Sequence, residues 1–235
     1  MKEKGANVKQ LVVITGASSG MGEAAVLKFL TELDYEVVGI DILPMSERVS
    51  VHPGASTRYH HYVSDVSRKE TLPNLIGVNI LINSAGVQGT DKDIDVNLRG
   101  VINCTEKYAL NNPKIKSVLN QASVSASMGT EFPQYVASKG GVISYTKWTA
   151  KDIAKFGATC NSLSFGGVLT DINRPVTDNP ELWNQVMELT PLKQWTSVEE
   201  TAEWIYFMTV INRSCSGQDI IIDNLESLNG VFVWE

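Results

Sequence analysis

The sequence predicts an α/β fold, a doubly wound parallel sheet of about seven strands with helices on both faces. Three observations carry that expectation. Short β-branched apolar runs alternate with longer segments whose apolar residues recur at helical spacing. The first of these runs passes straight into a glycine-rich turn and then a helical pattern. No repeat, low-complexity tract or Pro/Gly/Ser linker divides the 235 residues, so one domain over 1–235 is expected.

Taken in order, LVVIT (11–15), EVVGI (36–40), YHHYV (59–63), NILIN (79–83), KSVLN (116–120), ATCNSL (158–163) and DIIID (219–223) read as buried or half-buried strands. Between them GEAAVLKFLTEL (22–33), VNLRGVINCTEKYAL (96–110), SKGGVISYTKWTAKDIAKF (138–156) and VEETAEWIYFMTVI (198–211) carry helical spacing, and a further helix is expected over 66–75. Such alternation implies βαβ crossovers and hence parallel pairing. Ligands of these sheets bind beyond the carboxyl ends of the strands, where the strand order reverses.

Composition narrows the function classes. A formal charge of −6, without any cluster of Lys and Arg, argues against nucleic acid as a partner. No apolar run reaches the length of a bilayer span, and MKEKGANVKQ lacks a signal-peptide apolar core, so a cytoplasmic protein without membrane association is expected. Cys104, Cys160 and Cys215 are odd in number and far apart, which fits reduced thiols in core packing. His52, His60 and His61 form no metal-ligand spacing, and no metal is expected.

The first strand leads into TGASSGMG, with glycines at 16, 20 and 22. Glycine there permits a tight turn, close approach of a pyrophosphate and packing of the next helix on the sheet, as in Rossmann-type dinucleotide sites. The helix N-terminus suits an anion, with the Ser18 and Ser19 hydroxyls as added donors. Asp41 ends the second strand nineteen residues beyond Gly22. A carboxylate there accepts from both ribose hydroxyls of an adenosine and repels a 2′-phosphate, so NAD is favoured over NADP. The nearest downstream cation is Arg48. Asp65 reads equally as a partner of the adenine amino group and as a helix N-cap.

The fourth strand ends in NSAG (83–86), Asn97 follows in DVNLRG, the fifth strand ends in NQASVSA with Ser123 and Ser125, and YVASK places Lys139 four residues after Tyr135. On a helix, that spacing stacks the phenol and the ammonium on one face. Taken singly, Tyr135 also reads as a buried aromatic, Lys139 as a surface charge and Ser123 as a turn former.

This ordered set, TGASSGMG, Asp41, NSAG, Asn97, Ser123 and YVASK, resembles the classical branch of the short-chain dehydrogenase/reductase family from about residue 9 to about residue 223. The resemblance implies hydride transfer between NAD and a secondary alcohol or ketone, with Tyr135 as general acid/base and Ser123 bonded to the substrate oxygen. Lys139 would lower the Tyr135 pKa and hold the nicotinamide ribose, and Asn97 would support a relay water. Cofactor contacts are implied at Met21, Val66, Asn83, Ala85 and Gly86. SFGGVLTDIN (164–173) matches the family's PGxVxT stretch, with Phe165 in place of proline, and adds Gly166, Val168 and Thr170. Residues 171–196 look like the substrate lid, with Trp183, Met187 and Trp195 as candidate lining. A homotetramer or homodimer is the family expectation.

Two departures stand out. Only ten residues separate NSAG from Asn97, and the stretch from Asp65 to Asn79 is also short. The chain ends in an apolar tail (Val231, Phe232, Val233, Trp234) expected to pack on a neighbouring subunit. The missing rim segments leave a second reading, an NAD-binding sensor or scaffold protein that kept the fold and lost the chemistry.

Overall fold

The computed structural model describes residues 9–130 and 132–228, so the apolar tail lies outside the described residues. Seven parallel strands pair in the order β3-β2-β1-β4-β5-β6-β7. They are β1 (Gln10–Thr15), β2 (Tyr35–Asp41), β3 (Tyr59–Val63), β4 (Val78–Asn83), β5 (Ser117–Gln121), β6 (Thr159–Phe165) and β7 (Asp219–Ile222). The order reverses between β1 and β4, which opens a crevice beyond their carboxyl ends.

Alternation along the strands supplies two cores. Val12 and Ile14 of β1 face one side with Val37, against Phe29 and Leu30 of α1 (Gly20–Thr31). Val13 faces the other side with Val38 and Leu81, against Cys104 and Tyr108. Short helices α2 (Glu47–Ser50) and α3 (Ala55–Arg58) link β2 to β3. The buried Arg58 guanidinium donates to the carbonyls of Leu30 (2.5 Å) and Glu32 (2.6 Å), satisfying the C-terminal end of α1.

The helix expected over 66–75 is absent. Only a 3₁₀ turn, Lys69–Thr71, lies between β3 and β4. Pro73 resists helix continuation, and Asp65 closes a local turn by accepting from the Ser67 amide and hydroxyl. Buried Leu72 then plugs the second core.

After β4 the chain turns into a π-helical segment, Ile94–Arg99, continuous with α4 (Gly100–Tyr108). Beyond β5 come α5 (Ser125–Met128) and the long α6 (Pro133–Ile153). Between β6 and β7 lie α7 (Arg174–Thr177), α8 (Pro180–Leu189) and α9 (Val198–Tyr206). No residue of α8 is buried, whereas α9 packs Ile205 into the first core. Among the described residues, no helix is long and apolar enough to cross a membrane. Cys104 and Cys160 are fully buried in the second core, as packing residues.

Candidate active site

A cleft of about 700 Å³ opens at the strand-order reversal. At its nucleotide end, Gly16 has φ +69° and lies against the Ala85 backbone, where a Cβ would sit 2.8 Å from Cα. A Cβ on Gly22 would come within 2.1 Å of the Gly16 carbonyl oxygen, so α1 can start this close to the loop only with glycine there. Ser19, the N-cap residue, makes no side-chain cap bond. The first N–H groups of α1 therefore face a cleft lined by Gly16, Ser19, Gly20, Met21 and Gly22.

Asp41 also lines the cleft. Its Oδ2 accepts from the Ser18 amide (3.0 Å) and its Oδ1 from the Leu43 amide (2.9 Å), which fixes the carboxylate and leaves a second lone pair on each oxygen. Ser18, expected as a phosphate donor, is instead turned away, its hydroxyl donating to the Leu43 carbonyl at 3.4 Å. Arg48 is engaged too: it pairs with Glu23 at 2.9 Å and Glu199 at 3.4 Å. Asp65 and Val66 line the cleft, and Asp65 combines that position with its turn-capping role.

Asn83 is not at the cleft. It is 2% exposed within the sheet, donating to Asn120 Oδ1 at 2.8 Å across the β4–β5 pair and to Thr105 Oγ1 of α4 at 3.3 Å. Ala85 and Gly86 just beyond it do reach the lining.

At the chemical end Ser123, Tyr135 and Lys139 share the cleft wall. The helical spacing brings the Lys139 Nζ 5.5 Å from the centroid of the Tyr135 ring. The ammonium is buried and donates to the Gln121 carbonyl at the end of β5, at 2.9 Å. Burial pulls its pKa down to about 8, against the opposing pull of the Asp93 carboxylate. Ser123 sits 2.9 Å from the Ser125 hydroxyl.

Asn97 stands behind this wall, fully buried in the π-helical turn. Its Nδ2 donates to the Val87 carbonyl (2.8 Å) and to Ser138 Oγ (3.2 Å), and its Oδ1 accepts from the Val87 amide (2.8 Å). With both amide protons engaged, its side chain holds the loop after β4. Asp93, which the sequence reading did not single out, completes that loop. Its buried carboxylate accepts from the Gly89 and Thr90 amides and the Thr90 hydroxyl, all at 2.9–3.0 Å. These two residues close the short connection after β4 with hydrogen bonds. The only local signal is the Thr-x-x-Asp spacing at 90–93.

The far wall comes from the stretch after β6. Phe165, Gly166, Val168 and Thr170 line the cleft, and Thr170 Cγ2 faces Gly20. The Trp195 ring lies directly on Gly167 and meets Trp183 edge to face at 5.2 Å between centroids. Neither Met187 nor Trp183 reaches the lining. Glu226, absent from the sequence reading, ties this wall together: it accepts from the Gly167 amide (2.9 Å) and the Trp195 indole (2.6 Å). Burial pushes its carboxyl above the usual range, offset by those two donors.

Comparison with known proteins bears on this geometry. A family model described as Enoyl-(Acyl carrier protein) reductase matches residues 16–224. The chain is 31% identical over 154 residues to the 3-oxoacyl-[acyl-carrier-protein] reductase FabG of Staphylococcus epidermidis, covering 60% of this chain and 62% of that protein's length. It is 27% identical to the 2-(R)-hydroxypropyl-CoM dehydrogenase of Xanthobacter autotrophicus, covering 86% and 91% of the two chains. Among solved structures, 4-hydroxyisoleucine dehydrogenase complexed with NADH superposes with a TM-score of 0.83 at 28% identity, covering 92% of this chain and 98% of that one.

Proposed function

The chain belongs to the classical short-chain dehydrogenase/reductase family, and on that premise we propose that it interconverts a secondary alcohol and a ketone with NAD, using Tyr135 as general acid/base. One observation carries the reading: Ser123, Tyr135 and Lys139 line the same cleft as a glycine-rich helix N-terminus without a side-chain cap bond.

The residues present fit a dinucleotide. The glycine loop and the α1 N-terminus would take the pyrophosphate, and Asp41 the adenosine ribose. Lys139 would bond the nicotinamide ribose, and Val168 and Thr170 would anchor the carboxamide end. Bound nicotinamide supplies the acceptor or donor of hydride. NAD is favoured over NADP because the Asp41 carboxylate repels a 2′-phosphate and Arg48 is already paired with Glu23 and Glu199. The related 4-hydroxyisoleucine dehydrogenase is solved with NADH, and other structures of the same fold hold NADP, so the preference rests on Asp41 and Arg48.

The chain's own chemistry follows from charge and reach. A free phenol titrates near 10 and is a poor base at neutral pH. The Lys139 ammonium beside the Tyr135 ring favours the phenolate, so Tyr135 takes the substrate's hydroxyl proton in oxidation and returns it in reduction. Ser123 donates to the substrate oxygen and stabilises the charge that develops there. Asn97 and Asp93 keep the facing loop in place.

The chain is also proposed to self-associate. Trp148, stacked on Tyr145, is half-exposed on α6, and Phe207 and Ile211 are exposed after α9. Light scattering is expected to give the mass of a dimer or tetramer of 25.7 kDa chains.

The functional test is a spectrophotometric assay with purified protein and NADH or NADPH against 3-oxoacyl thioesters, keto acids and ketoses. Turnover of at least one class, with NADH preferred, is expected. Cofactor binding without turnover across the whole panel would refute the proposal in favour of a silent binder.

A further inference from the structure

The hydroxyl of Ser123 has a built-in orientation, and a second serine provides it. Ser125 opens the short helix α5 and is 1% exposed. Its backbone N–H donates to Ser123 Oγ at 3.2 Å, and its own hydroxyl lies 2.9 Å from the same oxygen. A serine hydroxyl has one proton to give and two lone pairs to fill. Among the described residues, Ser123 Oγ is the one side-chain partner of the Ser125 hydroxyl. Were Ser123 the donor of that bond, the Ser125 proton would be buried without an acceptor, an arrangement proteins avoid. The Ser125 hydroxyl therefore donates. Ser123 then receives two hydrogen bonds from one residue, both lone pairs are filled, and its single proton is left to point into the cleft.

We infer that Ser125 is a positioning residue that makes Ser123 a dedicated hydrogen-bond donor to the substrate oxygen. This rests on the oxidoreductase reading above, and it adds a residue whose contribution lies in the direction of another's proton. A hydroxyl free to rotate would present a lone pair to an incoming carbonyl for part of the time. One locked as a donor matches the negative charge that grows on that oxygen as the ketone is reduced. The local sequence makes this possible. Ser123 ends the run from β5, and the turn through Val124 folds the chain back, so residues two apart share one hydroxyl-to-hydroxyl contact.

The test is a double-mutant cycle read by NADH-linked reduction of the best substrate in the panel of thioesters, keto acids and ketoses. Ser125→Ala should lower kcat by about five- to tenfold, the size expected for losing one neutral hydrogen bond. KM for NADH should stay unchanged. Ser125→Thr, which keeps the hydroxyl, should restore most of the rate. In a Ser123→Ala background, Ser125→Ala should have no further effect, because its partner is already gone. A Ser125→Ala enzyme at full rate, or one whose loss recurs undiminished in the Ser123→Ala background, would overturn the inference while leaving the oxidoreductase reading intact. An inert wild-type enzyme would instead defeat that reading, and this inference with it.

Discussion

Lys139 carries an ammonium into a buried position, and the consequence is readable as a pH dependence. Its folded-state pKa of about 8 lies below the 10.5 of an exposed lysine. Between those values the unfolded chain binds the extra proton, so stability rises with pH across that window and is reduced by a constant amount below it. The difference corresponds to about 3 kcal/mol. Lys139→Met should therefore gain on the wild type at neutral pH, less whatever the lost bond to the Gln121 carbonyl contributes. That gain should shrink by about 3 kcal/mol between about pH 8 and about pH 10.5. Urea denaturation of both proteins across this range checks it, and a pH-independent difference would contradict the burial argument. Asp41 gives a second prediction at this scale. Asp41→Asn removes the charge that repels a 2′-phosphate while retaining an acceptor oxygen, and the ratio of kcat/KM for NADH over NADPH should fall about tenfold or more. An unchanged ratio would place discrimination elsewhere.

Among the elements, all seven strands were legible because β-branched runs bounded by turn residues encode them locally, and each lies within two residues of its expected position. The glycines at 16, 20 and 22, the place of Asp41 at the end of β2 and the stacking of Tyr135 with Lys139 were equally legible as geometry, since each follows from spacing along a single strand or helix. The misplaced helix at 66–75 and the turned-away Ser18 have different causes: a local turn closed by Asp65 ahead of Pro73 in the first case, and partners more than twenty residues away in the second. Asp65 takes Ser67, and Asp41 takes the Ser18 amide. Asp93 left only the short Thr-x-x-Asp spacing as a signal, whereas Glu226 left none. Glu226 meets Gly167 across 59 residues, a contact no local pattern records. Two predictions belong here. Asp93→Ala leaves three donors of the loop after β4 without their acceptor and should destabilise the fold by about 3 kcal/mol in urea denaturation. Glu226→Ala should release the Trp195 wall, seen as faster hydrogen exchange at the Gly167 amide while amides of β1 and β4 are unaffected. Unchanged exchange at Gly167 would show that the wall stands without the carboxylate.

Across the whole molecule, the strand order does the positioning. Reversal between β1 and β4 brings the glycine loop, Asp41 and the end of β5 to one crevice, and α6 then lays Tyr135 and Lys139 over its floor. The short connections after β3 and β4 leave this arrangement intact because Asp65, Asp93 and Asn97 close each of them with hydrogen bonds. The central claim is that one phenol on α6 moves the proton while everything else binds or orients. Tyr135→Phe tests it most directly: NADH affinity by fluorescence titration should match the wild type, and ketone reduction should fall by about a hundredfold or more. Reduction by the phenylalanine variant at a rate near that of the wild type would contradict the account.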